Sequence, residues 1–219
     1  MALWIIEALK KDYALSLVTT GRLSLERLNR TWGTSIAPDD LRLVRVPPFF
    51  LNYTDRFTTL RGALLTRFCR RIAPRFEAMF ATYGVMDFGR QGIQYIGDFL
   101  FAQKIGAALY PAPKAGEKDL FHRDSPARRA YVKLGEALDT PSWARILGNL
   151  TLVNSEWTRR LMRTEFGLET VVVYPPVPGD YPRIPWEGRE SGFVLLAKLS
   201  PIKQIDRAVD ILSRVRQRG

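Results

Sequence analysis

The pattern of apolar and polar positions divides the chain into short segments of helical and of strand period. Apolar residues recur at helical spacing in the segments that we predict as helices: Ala2–Lys11, Ser24–Trp32, Thr58–Ile72, Leu120–Leu138, Glu156–Phe166 and Lys203–Arg218. Alternating or continuous apolar runs predict strands at Tyr13–Thr20, Leu41–Val46, Phe76–Tyr83, Gln91–Ile96, Leu150–Val153, Thr170–Tyr174 and Phe193–Leu199. Strands that alternate with helices predict an α/β fold.

The clearest unit begins with the buried-type strand Leu150–Val153. Asn154 and Ser155 follow it and are typical helix-capping residues, and the next helix ends at Gly167, as a C-terminal cap should. A second apolar strand, Thr170–Tyr174, comes directly after. We expect the two strands to pair in parallel across a right-handed crossover.

Residues 174–192 are rich in proline and predict a stiff, extended linker. The linker would separate one domain over residues 1–173 from the beginning of a second over residues 193–219. A length of 219 residues is short for two complete domains.

Lys and Arg number 33 against 22 Asp and Glu, which gives a net charge of +11. Such a surface attracts anions such as phosphates, nucleic acid or acidic lipid headgroups, although an arginine-rich coding bias explains the excess equally well. Nucleic-acid binding rests on charge alone, because the chain has no recognised binding motif. We therefore predict no nucleic-acid partner.

The helix predicted at Thr58–Ile72 is basic and amphipathic, and two interpretations of it stay open. It lies on an anionic membrane surface, or it packs its apolar stripe against a sheet. In the first case the headgroup contacts would come from Arg56, Arg61, Arg67, Arg70 and Arg71.

Cys69 is the only cysteine and His122 the only histidine. This excludes a structural zinc site built within the chain, and an intramolecular disulfide. We predict no metal, a core position for Cys69 and a solvent-exposed one for His122. The N-terminus does not read as a signal peptide, and no apolar run reaches the roughly 20 residues of a membrane span. These features predict a cytoplasmic protein, with peripheral contact at the inner membrane face as the membrane interpretation.

A strand, Lys198, a Ser200-Pro201 turn, Lys203 and a helix follow one another after the linker. Such a turn is where open α/β sheets bind anionic ligands, because the N–H groups and the dipole of the helix point at it. Two lysines beside it suit a diphosphate. Lysines at helix starts are also commonplace, so the spacing alone leaves this interpretation open.

The motifs resemble those of family 4 glycosyltransferases of GT-B architecture. The resemblance lies in LTLVNSEWTRRLMRTEFGLETVVVYPPV at 150–177, followed after the linker by FVLLAKLSPIKQIDRAVDIL at 193–212. It is closest in wording to mannosyltransferases that act on lipid-linked oligosaccharides, and GIQYIGDF at 92–99 is similar to a strand of the N-domain cleft. The resemblance implies a Rossmann-like acceptor-side domain over 1–173 and the first βα unit of a donor-binding domain over 193–219.

It further implies retaining transfer of a sugar, mannose for example, from a nucleotide sugar to a glycan or lipid-linked acceptor, with no cofactor. Lys203 matches the diphosphate-binding lysine of the family, and Lys198 stands where an arginine is usual. Asp98 stands where many relatives have a histidine that faces the reacting sugar. It would contact a sugar hydroxyl or orient the acceptor, or else serve as a strand-end or capping aspartate. Ile202 and Ala197 depart from the family's usual acidic residue and glycine.

Two family segments have no counterpart in this sequence: a first strand with a glycine-rich loop, and the Glu-x7-Glu segment that holds the donor. In a doubly wound sheet that first strand is central, so its absence predicts unpaired edges on both neighbouring strands. We expect that this chain alone does not transfer sugar. The alternative interpretation is a non-catalytic, degenerate transferase domain that binds a membrane or a partner subunit.

Overall fold

The computed structural model describes residues 1–21, 23–46, 58–82, 84–99, 101–102, 105, 126–177, 179–197 and 203–218. The chain divides into two compact units. The first comprises Met1–Phe101 and Leu120–Gly179, and the second Ala102–Asp119 and Asp180–Gly219. The division after Gly179 falls inside the proline-rich segment 174–192.

Helices and strands alternate along the described residues. The helices are α1 (Ala2–Leu9), α2 (Leu25–Trp32), α3 (Thr58–Ile72), α4 (Pro126–Leu138), α5 (Trp143–Leu147), α6 (Glu156–Phe166) and α7 (Ile205–Arg218). The strands are β1 (Leu15–Thr19), β2 (Leu41–Arg45), β3 (Phe80–Ala81), β4 (Ile93–Ile96), β5 (Leu150–Val153) and β6 (Val171–Val172). Every described strand pair is parallel, which confirms the prediction of an α/β fold.

The strands β1 and β2 form one sheet whose two faces are covered by different helices. Side chains of a strand alternate between its faces, so Leu17 and Val18 point to opposite sides. One face packs against α1 and α2 in a cluster of Leu3, Ile6, Leu15, Leu17, Leu25, Leu28, Ile36 and Leu41. The other face packs Val18 and Val44 against a cluster that includes Cys69 and Ile72 of α3.

The second sheet has the strand order β3-β4-β5-β6. Ile96 and Val153 are opposite each other in the β4–β5 register, and both are 0% exposed. The pairing of β5 with β6 is parallel, as the βαβ pattern predicts. Met162 of α6 is 1% exposed, which shows how the connecting helix buries its apolar side.

The strands form two separate sheets, one of β1 and β2 and the other of β3 to β6. Within the part of the chain that the structure describes, β1, β2, β3 and β6 each have one edge without a strand partner. Side chains of both sheets still share one apolar cluster, to which β1 contributes Val18 and β3 contributes Ala81. The two sheets thus have a common core although no described strand joins them.

Local capping sets the ends of α6 as predicted. Ser155 is the N-cap, and its Oγ accepts a hydrogen bond from the backbone N–H of Thr158 at 3.2 Å. At the other end Gly167 adopts a left-handed conformation with φ of 62°. An L-residue there meets a steric penalty that glycine avoids.

Two glycine-to-alanine changes are expected to shift stability in opposite directions. Gly167→Ala costs about 1 kcal/mol because of its positive φ, although no atom lies within 4 Å of the added Cβ. Gly62→Ala, in the middle of α3 with equally open surroundings, gains about 0.5–1 kcal/mol from helix propensity. Urea unfolding measures the change in the free energy of unfolding of each variant. Changes of the same sign in both variants would contradict the prediction.

Three strand predictions are wrong in part. Residues 193–197 form no strand, and Val194 and Leu196 are 96% and 97% exposed. A strand needs a neighbour for its backbone hydrogen bonds, and the described residues of the second unit contain no other strand. The strands predicted at Phe76–Tyr83 and Thr170–Tyr174 shorten in the described residues to Phe80–Ala81 and Val171–Val172.

Candidate functional site

The carboxyl edge of the second sheet brings together two segments that the sequence singles out. Gly97 and Asp98 follow β4, and Asn154 and Ser155 follow β5. Because β4 and β5 run in parallel, the segments leave the sheet side by side. Asn154 Nδ2 donates a hydrogen bond to the Gly97 carbonyl oxygen at 3.0 Å, which ties the two together.

The Asn154 side chain is held on both its polar atoms. Its Oδ1 accepts hydrogen bonds from the hydroxyls of Ser155 and Thr158, and its Nδ2 donates to the Gly97 carbonyl oxygen. Thr158 is 2% exposed, so this corner is well packed. The structural interpretation of Asn154 and Ser155, as the residues that start α6, is therefore confirmed.

A buried tyrosine supports the same edge from below. Tyr95 is 4% exposed, and its hydroxyl donates a hydrogen bond to the Val173 carbonyl oxygen at 3.1 Å. Burial raises the pKa of the Tyr95 phenol, so it stays protonated and keeps its role as donor. The bond fixes the chain after β6, where Tyr174 is 64% exposed.

Aromatic rings cluster beside this edge, a feature that the sequence analysis missed. Phe99 is buried and meets Trp157 edge-to-face at a ring-centre distance of 6.0 Å. Phe101 lies 5.9 Å from Phe166 and 6.4 Å from Trp143. Trp143 and Trp157 remain about half exposed, so the cluster presents two indole rings to solvent.

The predicted site residues have different outcomes. Asp98 is partly buried directly after β4, next to the Asn154 corner. Lys203 is exposed in the second unit, two residues before α7 begins. Lys198, Arg56 and His122 lie outside the described residues. Gln204, between Lys203 and α7, has a φ of 47°, and its Oε1 accepts a hydrogen bond from Arg207 at 3.2 Å.

A cluster of charges at the amino end of the second sheet also escaped the sequence analysis. Asp87 is 0% exposed, and its carboxylate accepts hydrogen bonds from Arg145 at 2.8 and 3.0 Å and from Arg70 at 3.0 Å. The backbone N–H groups of Gly89 and Ser142 add two bonds of 2.8 Å. Burial alone would raise the pKa of this carboxyl, but these contacts outweigh it and hold the pKa far below its usual range.

The contacts of Asp87 also bear on the two interpretations of the basic helix α3. Arg70 bridges Asp87 and Asp139, each at 3.0 Å, so this arginine is engaged by carboxylates within the fold. The apolar stripe of α3 packs into the core, and Cys69 is buried there as predicted. Burial raises the pKa of the Cys69 thiol to about 11.

A buried amide network links β4 and β5 at the same end. Gln94 is 0% exposed, and its Nε2 donates hydrogen bonds to the Ile146 carbonyl and to Thr151 Oγ1, both at 3.0 Å. Its Oε1 accepts from Asn149 Nδ2 at 3.0 Å. Asn149 Oδ1 in turn accepts from the Gly92 N–H at 2.9 Å. All of these groups are internal, so the network is structural.

No helix in the described part of the chain has the length and apolarity that crossing a membrane requires. Comparisons of the chain with protein-family models, with curated proteins and with solved structures find no match. Function is therefore inferred from the carboxyl-edge residues and from the motifs quoted above.

Proposed function

We propose that this chain contributes the acceptor side of a retaining glycosyltransferase of the family 4, GT-B type. The donor is a nucleotide sugar, with mannose as the leading candidate, and the acceptor a glycan or a lipid-linked sugar. One observation supports this above the others: Asp98 and the Asn154–Ser155 corner lie together at the carboxyl edge of a parallel sheet. That edge is where open α/β sheets bind their ligands.

The chemistry of the edge suits a sugar. A carboxylate that follows a buried strand can accept hydrogen bonds from sugar hydroxyls, and Asp98 holds that position on a backbone fixed through Gly97. Asn154 is not available for this role, because its polar atoms are already used within the corner. We assign Asp98 to the acceptor because of its place directly after β4 and beside this corner.

The donor assignment rests on the resemblance and on Lys203. This lysine is exposed just before a 14-residue helix. Together with Lys198 it would neutralise charge that develops on the departing nucleoside diphosphate, and such fixed charges lower the barrier to transfer. The positive φ of Gln204 turns the chain between Lys203 and the helix.

A second candidate is a non-catalytic binding module, and one observation favours it. The second unit exposes apolar side chains that a partner could cover. They include Phe193, Val194, Leu195, Leu196, Val209, Ile211 and Val215. A partner subunit with an apolar surface of its own would fit them.

Nucleotide-sugar binding tests the proposal. We expect isothermal titration with GDP-mannose to show binding that Lys203→Ala weakens about tenfold, since a charge-assisted contact to phosphate contributes roughly 1.5–3 kcal/mol. Lys133→Ala is the matched control, because Lys133 is an exposed lysine of α4 in the first unit. Equal affinities of the two variants would contradict the donor assignment.

The acceptor side has its own readout. In amide spectra of the labelled chain, a mannose disaccharide should shift the signals of Gly97, Asp98 and Ser155, and Asp98→Asn should remove these shifts. Asp12→Asn, at an exposed position near the N-terminus, serves as control.

We also expect no sugar transfer by this chain alone, because the sequence has no Glu-x7-Glu segment. Detectable transfer from GDP-mannose would overturn that expectation.

A further inference from the structure

A small pocket opens at the amino end of the second sheet, on the opposite edge from Asp98. It has a volume of about 250 Å³. Its wall includes Arg70, Pro74, Phe88, Arg90 and Arg145. Because pockets for drug-sized ligands measure roughly 300–1,000 Å³, this one suits a small group rather than a nucleotide.

The pocket wall carries cations and no carboxylate. Arg70 and Arg145 are held in place by Asp87, which is 0% exposed and is absent from the wall. Arg90 is oriented by neutral acceptors, the carbonyl oxygens of Phe76 and Glu77. Three arginines thus line one small space.

Two of these arginines have unused donors. The Nε–H groups of Arg70 and Arg90 are buried and have no hydrogen-bond partner in the structure. Buried donors are paired in the great majority of cases, so an unpaired one calls for an explanation. An oxyanion in the pocket would add acceptor oxygens beside guanidinium groups whose present partners are Asp87, Asp139 and two backbone carbonyls.

We propose that this pocket binds a phosphate monoester group. Guanidinium groups match the geometry and charge of a phosphate better than any other side chain. The pocket requires glycine at position 89, because its φ is 75° and a Cβ there would lie 2.6 Å from Arg70 Cγ. The site is separate from the acceptor edge and does not depend on the glycosyltransferase proposal.

The phosphate could come from a soluble molecule or from a lipid headgroup. Arg71 and Arg75 are exposed at the same end of α3. They would add attraction to an anionic surface if the phosphate belongs to a lipid. The experiment therefore needs one arm for each source.

The soluble arm is isothermal titration of the full chain with inorganic phosphate at constant ionic strength, which keeps charge screening the same throughout the titration. Pro74→Glu puts a carboxylate on the pocket wall at an exposed turn position and leaves the Asp87 contacts untouched. Pro38→Glu is its matched control, an exposed proline of another 3₁₀ turn. Arg90→Gln removes one cation, and urea unfolding of each variant verifies that it folds.

We expect saturable phosphate binding that Pro74→Glu and Arg90→Gln each weaken at least about tenfold, and that Pro38→Glu leaves unchanged. The lipid arm compares sedimentation with phosphatidylcholine vesicles that carry phosphatidic acid or phosphatidylglycerol. Preference for phosphatidic acid that Pro74→Glu abolishes identifies a lipid source, and phosphate binding without that preference identifies a soluble one. Absence of saturable phosphate binding, or equal binding by Pro74→Glu and Pro38→Glu, overturns the proposal.

Discussion

Replacement of Asp87 by alanine is expected to lower the free energy of unfolding by about 3–5 kcal/mol, the cost of breaking a buried ion pair from one side. The carboxylate is 0% exposed and holds Arg70, Arg145 and two backbone N–H groups. Without it, two guanidinium groups lie close together, and among the described residues Asp139 is the carboxylate that still pairs with Arg70. Urea unfolding monitored by tryptophan fluorescence measures the loss.

Asp87→Asn separates charge from packing. The folded-state pKa of Asp87 is lowered, so its carboxylate stabilises the fold at any pH above the unfolded value of about 3.9, and this contribution is lost as the pH falls towards the folded-state value. The difference in stability between the natural chain and Asp87→Asn should therefore be constant from about pH 7 to 5 and shrink below about pH 4.

Asp139 contributes a pH dependence of stability with the opposite sign, because burial raises its pKa and so favours its neutral form in the folded state. It is present in both proteins, so to first order its titration cancels in the difference. Glu169→Ala, at an exposed ion pair with Arg163, is the control and should change stability little. A loss for Asp87→Ala no larger than for Glu169→Ala would contradict the assignment.

Gln94→Leu is expected to cost about 3 kcal/mol, because each stranded buried polar group costs roughly 1–3 kcal/mol. The change leaves one side-chain N–H of Asn149 without its partner. Thr151 and the Ile146 carbonyl each lose a donor, although that carbonyl keeps its hydrogen bond from the Asn149 backbone N–H at 3.3 Å. The second variant, Gln94→Leu with Thr151→Val, should cost less than the sum of the single changes, since both partners become apolar together.

Gln91→Ala provides the matched control for the Gln94 and Thr151 variants. Gln91 is an exposed glutamine three positions earlier, with one hydrogen bond to the Gly148 carbonyl at 3.1 Å. Its loss should change stability by no more than about 0.5 kcal/mol. Full additivity of the Gln94 and Thr151 changes would show that the network is not cooperative.

The two ends of the second sheet differ in burial and in the contacts of their polar residues. The amino end holds the Asp87 cluster and the Gln94 network, which fix β4 and β5 relative to α3 and α5. The carboxyl end holds Asp98 beside the Asn154 corner and two half-exposed tryptophans. A rigid amino end and an accessible carboxyl end are what a binding site on a parallel sheet needs.

Local patterns predicted the secondary structure well where each element carries its own signals. The bounds of α3, β5 and α6 agree with the sequence prediction, because a helix period, a cap or a short apolar run specifies each of them. The strand expected at Phe193–Leu199 differs, since strand formation depends on a neighbour and not on the segment alone.

The candidate site was predicted only in its chain-local parts. The Asn154–Ser155 cap can be read from the sequence because it follows a recognisable strand, and Asp98 is singled out by the family resemblance of the strand before it. The contacts of Asp87 with Arg70 and Arg145, and of Gln94 with Ile146, join residues separated by 17 to 58 positions, and no local pattern reports such pairs. Asp87 lies in a segment that reads as a turn. Arg70 reads as part of the basic helix, and no motif in the sequence singles out Arg90 or Arg145.

The sequence by itself determined the alternation of helices and strands, the parallel βαβ unit and the caps of α6, because these depend on periodicity and on interactions within a few residues. The tertiary structure alone decided which polar residues are buried, which arginines face carboxylates and which arginines line a common pocket. Those outcomes depend on burial and on distances between remote segments, and only the folded chain fixes either.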